Sequence, residues 1–122
     1  MSREELEKYI NEKYNIIGEN PWVSHPSFEV FRHKSNKKWF AVIMEIPRFK
    51  IGLSGDGRIN VVNLKCDPLI IGSLLSEGGI YRGYHMNKNY WITVCLDSSV
   101  EYEKVKCLLD ISFVLTESKK KK

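Results

Sequence analysis

The sequence predicts an α+β domain with two layers, in which an antiparallel sheet of about five to six strands carries helices mainly on one face. Apolar residues recur at helical spacing near both ends of the chain and after Pro68, whereas the segments between them are rich in β-formers. Short turn signals separate those segments and favour hairpin connections. The predicted order is one helix, three to four strands, a helix, two strands and a helix, within a single domain over residues 1–118.

Three local signals predict where the helices begin. The Ser2-Arg3-Glu4-Glu5 capping box opens a helix over 2–14. Asp67-Pro68 is an N-cap followed by proline at the first helical position, where a missing amide hydrogen costs nothing. A second box, Ser98-x-x-Glu101, opens the last helix.

The predicted strands lie between these helices. The first two, over 28–33 and 38–45, are joined by a hairpin turn at Lys34–Lys37. A short strand over 48–53 follows Pro47, and a Gly-rich turn over 54–57 leads to the strand over 58–64. Two further strands, over 80–84 and 90–96, come after the second helix and are joined by a turn near Met86–Asn89.

The net charge of +4 is unevenly distributed along the chain. The segment Lys119–Lys122 is all lysine, and without it the acidic and basic residues are equal in number. We expect this segment to be a disordered, solubilising tail. Residues 21–65, in contrast, carry eight basic and only three acidic side chains, so the basic excess of the remaining chain is central.

Six of these basic residues flank the two turns of the central strand region: Lys34, Lys37, Lys38, Arg48, Lys50 and Arg58. Hairpin turns with lysine and arginine can follow a phosphate backbone. Charged residues also occupy turns simply to protect strand edges from aggregation, and the residues alone favour this second explanation.

The sequence contains no pattern that indicates catalysis or a cofactor. Neither phosphate-binding glycine motif is present, and the three histidines lack metal-ligand spacing. The three cysteines are odd in number and widely spaced, and we expect Cys95 and Cys107 to be reduced core residues. We therefore predict a protein that is not an enzyme, with no metal and no cofactor, and structural roles for His25 and His85.

No apolar run approaches the ~20 residues of a membrane span. The charged start Met-Ser-Arg-Glu-Glu also lacks the apolar segment of a signal peptide. These features predict a cytoplasmic protein that does not contact membranes.

Several motifs, in order along the chain, resemble the MmcQ/YjbR family. They are Pro21-Trp22, the segments 25–32 and 36–41, Val62-Asn63-Leu64-Lys65-Cys66-Asp67-Pro68, and Tyr84-His85-Met86-Asn87-Lys88 leading to Trp91-Ile92-Thr93-Val94. The resemblance covers about residues 1–116. It implies a CyaY-like fold, related to that of secretion chaperones, and a double-wing similarity to a phage transcription factor. On that similarity, family members are commonly called DNA-binding. Where the family motif has a histidine before its tryptophan, this chain has Tyr90, which weakens a catalytic role further.

The family motifs also single out a set of polar and aromatic residues that either binds a ligand or fastens loops at one end of the sheet. This set is Trp22, His25, Asn63, Lys65, Tyr84, His85, Asn87, Lys88 and Trp91.

Together, the basic turns and the resemblance predict a monomeric protein that binds double-stranded DNA through phosphate contacts. The alternative is a protein-interaction module that binds a protein partner through its sheet face or through Trp22, Tyr81, Tyr84 and Tyr90. A small-molecule site near His85 and Lys88 is a third interpretation.

Overall fold

Three helices and a five-stranded antiparallel sheet form the structure, a computed structural model that describes residues 1–117. The α+β class and the order of elements are confirmed. The elements in chain order are α1 (Arg3–Tyr14), β1 (Glu29–Arg32), β2 (Trp39–Pro47), a 3-10 turn (Arg48–Ile51), β3 (Arg58–Lys65), α2 (Pro68–Leu75), β4 (Ile80–Arg82), β5 (Trp91–Cys95) and α3 (Tyr102–Thr116). The strand order is β1-β2-β3-β5-β4. The predicted tail, Lys119–Lys122, lies outside the described residues.

The first two helix starts agree with the prediction. Ser2 Oγ accepts a hydrogen bond from the Glu5 amide at 3.1 Å, and Glu5 Oε1 accepts one from the Ser2 amide at 2.8 Å. At α2, Asp67 Oδ1 accepts a hydrogen bond from the Leu69 amide at 2.9 Å. These side chains accept hydrogen bonds from backbone amides that have no partner inside the helix.

The predicted capping box at α3 is wrong. Ser98 has a positive φ of 72°, so the chain turns there instead of entering a helix. Asp97 Oδ1 closes that turn by accepting hydrogen bonds from the Ser99 amide and hydroxyl, at 3.0 and 2.6 Å. The N-cap of α3 is Glu101, which makes no side-chain capping bond.

The predicted strand over 48–53 is also wrong, since Arg48–Ile51 form a 3-10 turn. Gly52 adopts a left-handed conformation with φ of 79°, and its amide donates to the Phe49 carbonyl at 3.1 Å. The Leu53 amide donates back to the Arg48 carbonyl at 3.2 Å. These local bonds satisfy the backbone within the connection, so it adds no strand to the sheet.

All three helices pack on one face of the sheet. Leu6 of α1, Ile71 of α2 and Leu109 of α3 belong to one buried cluster with alternate residues of the strands, among them Ile43 and Val62. A second, smaller buried cluster lies on the opposite face, which we call the open face. Loop residues rather than helices cover it, including Trp22, Phe28 and Tyr84.

Asp110 joins the two terminal helices. Its carboxylate accepts hydrogen bonds from the Tyr9 and Tyr14 hydroxyls, each at 2.7 Å, and from Lys13 Nζ at 2.9 Å. Burial opposes ionisation, but these three donors together hold the pKa of Asp110 below its usual value. The interaction therefore ties α1 to α3 through an ionised carboxylate.

Cys107 is exposed on α3, which corrects its assignment to the core. Its apolar neighbours Val105, Leu108 and Leu109 form the buried stripe of the helix, and Cys107 lies outside that stripe. Cys95 is buried as predicted.

Candidate functional site

A cavity of about 560 Å³ opens on the open face of the sheet. Its floor is formed by β2, where Val42, Met44 and Ile46 alternate with the residues that face the helices. The loop between α1 and β1 forms one wall, and the loop between β4 and β5 forms the other. The lining residues are Trp22, His25, Phe28, Trp39, Val42, Met44, Glu45, Ile46, Pro47, Arg58, Tyr84, His85 and Met86.

The first wall is a cluster of aromatic rings. Trp22 meets Trp39 and Phe28 edge to face, with ring centroids 5.6 and 6.0 Å apart, and His25 stacks on Phe28 at 4.8 Å. Asn20 fixes this loop, because its side-chain amide donates to the carbonyls of Pro26 and Phe28 at 3.2 and 2.8 Å. These two bonds hold the backbone of the loop that carries Trp22, His25 and Phe28.

The second wall is fastened to the sheet by two buried polar side chains. Asn63 Nδ2 donates to the Tyr84 carbonyl at 2.8 Å, while the Tyr84 amide donates to Thr93 Oγ1 at 2.8 Å. Both backbone groups of Tyr84 are thus bound to the sheet. His85 follows with a positive φ of 58°, which turns the chain along the rim of the cavity.

Glu45 and Arg58 form an ion pair at the margin of the cavity lining. Arg58 Nε donates to Glu45 Oε1 at 3.0 Å, and Arg58 Nη2 donates to the Glu45 carbonyl at 3.0 Å. The two side chains stand side by side because Pro47 pairs with Arg58 and Glu45 with Asn60 in the β2–β3 register. Both are about half exposed, so they form a surface pair and not a buried one. By this register the two positions share the sheet face of Ile43 and Val62, opposite the floor of the cavity.

The structure divides the predicted polar and aromatic set into three groups. Four members, Trp22, His25, Tyr84 and His85, line the cavity. Three fasten the second wall: Asn63 as described, Lys88 by donating from Nζ to the Gly83 carbonyl at 3.0 Å, and Asn87 by accepting from the Asn89 amide. Lys65 and Trp91 are apart from the cavity lining, with Lys65 Nζ 5.5 Å from the Trp91 ring centre.

Several lining residues were not predicted as site residues, notably Trp39, Met44 and Glu45. For Met44 the alternation of side chains along β2 carries the signal, because it places positions 42, 44 and 46 on one face. For Trp39 and Glu45 this alternation gives no such signal. Sequence alone does not tell which face is left without a helix.

The six basic residues occupy opposite ends of β2. Lys34, Lys37 and Lys38 lie exposed at the turn between β1 and β2, while Lys50 lies exposed in the β2–β3 connection. With nine residues in β2 and about 3.3 Å per residue, the two turns are roughly 26 Å apart. They are two separate cationic turns and not one patch.

Two of the six donate side-chain hydrogen bonds to other residues of the protein. Arg48 Nε donates to the Ser54 carbonyl at 2.9 Å, and Arg58 is paired with Glu45. Among residues 1–117, none of the four lysines at these turns forms an ion pair. The exposed positive charge of the two turns is therefore carried by those lysines.

Thiol chemistry has little support in the geometry. Burial raises the pKa of the Cys66 thiol, and burial raises that of Cys95 to about 11. Both thiols are thus protonated near neutral pH. Since the thiolate and not the thiol is the nucleophile, neither is activated for attack. Within the described part of the chain, no group of three or more metal-ligating side chains comes together.

Comparison with known proteins gives the family. The YjbR family model matches residues 11–115. The chain belongs to the YjbR family. It is 39% identical to the uncharacterized protein YyaQ of Bacillus subtilis, over 95% of this chain and 98% of that protein. None of the helices among residues 1–117 is long and apolar enough to span a bilayer.

Solved structures share the fold of this YjbR-family chain. A crystal structure of a Pseudomonas syringae protein superposes with a TM-score of 0.94 at 43% identity, covering 96% of this chain and all of that one. A DUF419 domain structure from Deinococcus radiodurans gives a TM-score of 0.70 at 25% identity, covering 93% of this chain and 77% of that chain.

Proposed function

We propose that this YjbR-family protein is a non-catalytic DNA-binding protein that contacts the phosphates of duplex DNA through its two cationic turns. The observation that carries the proposal is the placement of exposed lysines at both ends of β2: Lys34, Lys37 and Lys38 at one end and Lys50 at the other. Arg48 and Arg58 contribute less, because each already binds an oxygen of the protein.

The separation of the turns suits a duplex. Roughly 26 Å along β2 corresponds to about eight base pairs at 3.4 Å per step. The two turns would then contact phosphates on either side of the intervening grooves, as two wings. Since residues 1–118 have equal numbers of acidic and basic groups, attraction to DNA would depend on these local charges and not on net charge.

Fluorescence anisotropy with a labelled duplex at several salt concentrations tests the proposal. The test variant is Lys34→Glu/Lys37→Glu/Lys38→Glu. The control, Lys8→Glu/Lys104→Glu/Lys106→Glu, makes the same change in net charge on the helices. Both are made in a chain whose four terminal lysines are replaced by serine, so that the tail does not contribute.

We expect the test variant to bind much more weakly and to lose about three units of the slope of log affinity against log salt, since each phosphate contact contributes about 0.9. The control variant should bind like the parent. Equal weakening in both variants would show that only overall charge matters and would refute the proposal.

A protein-interaction module is the second candidate. The observation that favours it is a set of exposed apolar side chains in loops around the open face: Val23 is 99% exposed, Phe49 68% and Tyr90 46%. An apolar interface responds little to salt. Retention of the same protein from nuclease-treated lysate at high salt, lost on Val23→Ser/Phe49→Ser, would support this candidate over DNA binding.

A further inference from the structure

We infer that the open face of the sheet binds a single strand of nucleic acid, whose unpaired bases stack on the aromatic rings of the cavity and whose phosphates meet cations at its margin. The inference goes beyond the proposed function, because it concerns the sheet face and an unpaired strand, whereas the proposed function concerns the turns and duplex DNA. Three features carry it: the rings in the cavity, the pairing of cations with rings around the open face, and the length of the groove along β2.

Aromatic rings line both walls of the cavity. Trp22 and Trp39 on one wall and Tyr84 on the other are half-buried, so part of each side chain stays accessible. His25 and His85 add exposed imidazole rings, one on each wall. Trp22 meets Trp39 at an interplanar angle of 83°, so the faces of the two indoles are not stacked on each other. Bases bind such rings through their π-faces, and this stacking tolerates any base.

Cations around the open face lie beside aromatic rings. Measured from the cation to the ring centre, Arg32 lies 6.0 Å from Trp39, Lys65 lies 5.5 Å from Tyr90, and Lys50 lies 5.3 Å from Phe49. Among residues 1–117, neither lysine forms an ion pair, whereas Arg32 pairs with Glu19 at 3.3 Å. Each nucleotide of a strand carries a phosphate beside its base, so a cation next to a ring can bind both parts.

These pairs lie on the same side of the sheet as the cavity. Arg32 is two positions after Val30, whose side chain lies on the open face, and side chains alternate along a strand. Lys65 follows Asn63 of the open face in the same way. Lys50 lies in the β2–β3 connection, which packs against the open-face cluster. The cations therefore stand at both ends of β2, with the aromatic cavity between them.

The length of the groove suits a short strand. The cavity lining extends from Trp39 to Pro47, the full length of β2 and roughly 26 Å. At about 3.4 Å per nucleotide of a stacked strand, this length corresponds to no more than about eight nucleotides. A duplex cannot bind in this way, because neighbouring base pairs cover the faces of its bases. Only an unpaired base can place its face against rings that stand between two loops.

The described lining residues add no unneutralised negative charge. Glu45 is the one acidic side chain among them, and it lies on the helix-covered face, paired with Arg58. A neutral protein segment on the open face would leave the two lysines without a counter-charge, whereas a strand supplies phosphates to them. The charges therefore favour a nucleic-acid strand over an apolar peptide.

Fluorescence anisotropy on the full chain tests the inference, with a labelled oligothymidylate of eight residues as the probe. The unlabelled competitors are the same oligothymidylate, an abasic strand of equal length, thymidine monophosphate and octaglutamate. The abasic strand keeps the phosphates and lacks the bases, so it separates stacking from charge.

We expect the abasic strand to compete at least about tenfold more weakly than the oligothymidylate, because it makes no stacking contacts. Equal competition by the two strands would mean that phosphates alone are bound and would overturn the inference. Equal competition by thymidine monophosphate would identify a free nucleotide as the ligand, and by octaglutamate an acidic peptide. Either result, or no binding of the probe, would also overturn it.

A matched pair of variants locates the binding. Tyr90→Leu/Lys65→Gln removes one cation and its ring from the open face. The control, Tyr102→Leu/Lys106→Gln, removes a similar pair from α3, where Lys106 Nζ lies 5.4 Å from the Tyr102 ring centre. The two tyrosines are matched in exposure, at 46% for Tyr90 and 42% for Tyr102.

We expect the open-face variant to bind the oligothymidylate about tenfold more weakly. The slope of log affinity against log salt should fall by about 0.7, the contribution of one phosphate contact to a single strand. The control variant should bind like the parent, and circular dichroism checks that both variants are folded. Equal weakening in the two variants would refute the open face as the site.

One further variant tests the cavity and separates this inference from the proposed function. Trp22→Leu keeps an apolar side chain and removes a ring, so it should reduce the preference for oligothymidylate over the abasic strand and leave duplex binding unchanged. Lys34→Glu/Lys37→Glu/Lys38→Glu should do the reverse. An unchanged preference in Trp22→Leu would refute stacking in the cavity, whereas loss of duplex binding in the lysine variant concerns only the cationic turns.

Discussion

Thr93 Oγ1 donates a hydrogen bond to Asn63 Oδ1 at 2.5 Å between two fully buried side chains on neighbouring strands. The two residues are paired in the β3–β5 register and both face the open side of the sheet. Together they bind the backbone of Tyr84 and so determine where the second wall of the cavity stands.

Replacing either residue should loosen that wall. Asn63→Leu and Thr93→Val each leave buried polar groups without partners, and we expect each to lower the free energy of unfolding by about 1–3 kcal/mol. The double variant should lose less than the sum, because both residues serve one network. Urea denaturation of the four proteins measures this. Additive losses would show that the two residues act independently.

Stability should depend on pH through Glu29. Burial, together with the neighbouring Glu7 carboxylate, raises the pKa of Glu29 to about 7, although Arg3 lies 3.5 Å away and opposes the shift. The native state therefore binds a proton more tightly than the unfolded chain. The contribution of Glu29 is complete below about pH 4.5 and is lost as pH rises through 7.

Comparison with Glu29→Gln isolates this effect from other titrating groups such as His33. Relative to the variant, the natural chain should lose about 3 kcal/mol of unfolding free energy between pH 4.5 and 8. Denaturant titrations across this range give the difference curve. A flat difference would mean that Arg3 keeps Glu29 ionised throughout.

Asp110→Asn should weaken the attachment of α1 to α3. The hydrogen bonds from Tyr9, Tyr14 and Lys13 favour the ionised carboxylate, so we expect a loss of about 2 kcal/mol at pH 7. Since the folded pKa of Asp110 is lowered, its contribution is present above the unfolded pKa and is lost as pH falls through the folded value.

The cost of Asp110→Asn should accordingly shrink in acid, which thermal denaturation at pH 7 and pH 3 would reveal. Glu103→Gln on the same helix serves as control. Glu103 is 79% exposed and forms only a surface pair with Lys106, so its replacement should change stability by less than about 0.5 kcal/mol.

Alanine substitution should have opposite effects on stability at two glycines, Gly79 and Gly72. Gly79 has a φ of 83°, and a Cβ there would lie 2.6 Å from Ser99 Oγ and 2.7 Å from Val100 Cγ2. Gly79→Ala should therefore cost about 1–3 kcal/mol. A Cβ on Gly72, inside α2, would meet nothing within 4 Å, and Gly72→Ala should raise stability by about 0.5–1 kcal/mol. Melting temperatures of the two variants would test the contrast, and a stabilised Gly79→Ala would contradict it.

Local chemistry explains why most elements were predictable. The Ser2 capping box and the Asp67-Pro68 start act within four residues, and alternation along β2 is a property of any strand. The predicted start of α3 was wrong because Asp97 accepts hydrogen bonds from Ser99 and closes a turn before the helix begins. The strand predicted in the β2–β3 connection was wrong because Gly52 closes a turn there. Apolar residues of that turn, such as Phe49, are exposed to solvent.

The cavity was only partly predictable because strand pairing creates it. Trp22, Trp39 and Tyr84 are far apart in the sequence and meet only when the sheet and its loops are assembled. The family motifs indicated Trp22 and Tyr84 as members of a set, yet no local pattern indicated that Glu45 and Arg58 would form an ion pair beside it.

Side chains of the central part of β2 alternate between the helix-covered face and the open face of the sheet. Ala41 and Ile43 pack under the helices, whereas Val42, Met44 and Ile46 form the cavity floor. Substitutions at Val42, Met44 or Ile46 should reshape the cavity floor while the helix-side packing is maintained, and substitutions at Ala41 or Ile43 should do the opposite. The lining of the open face can thus vary between proteins of this fold while the helix-side core is kept.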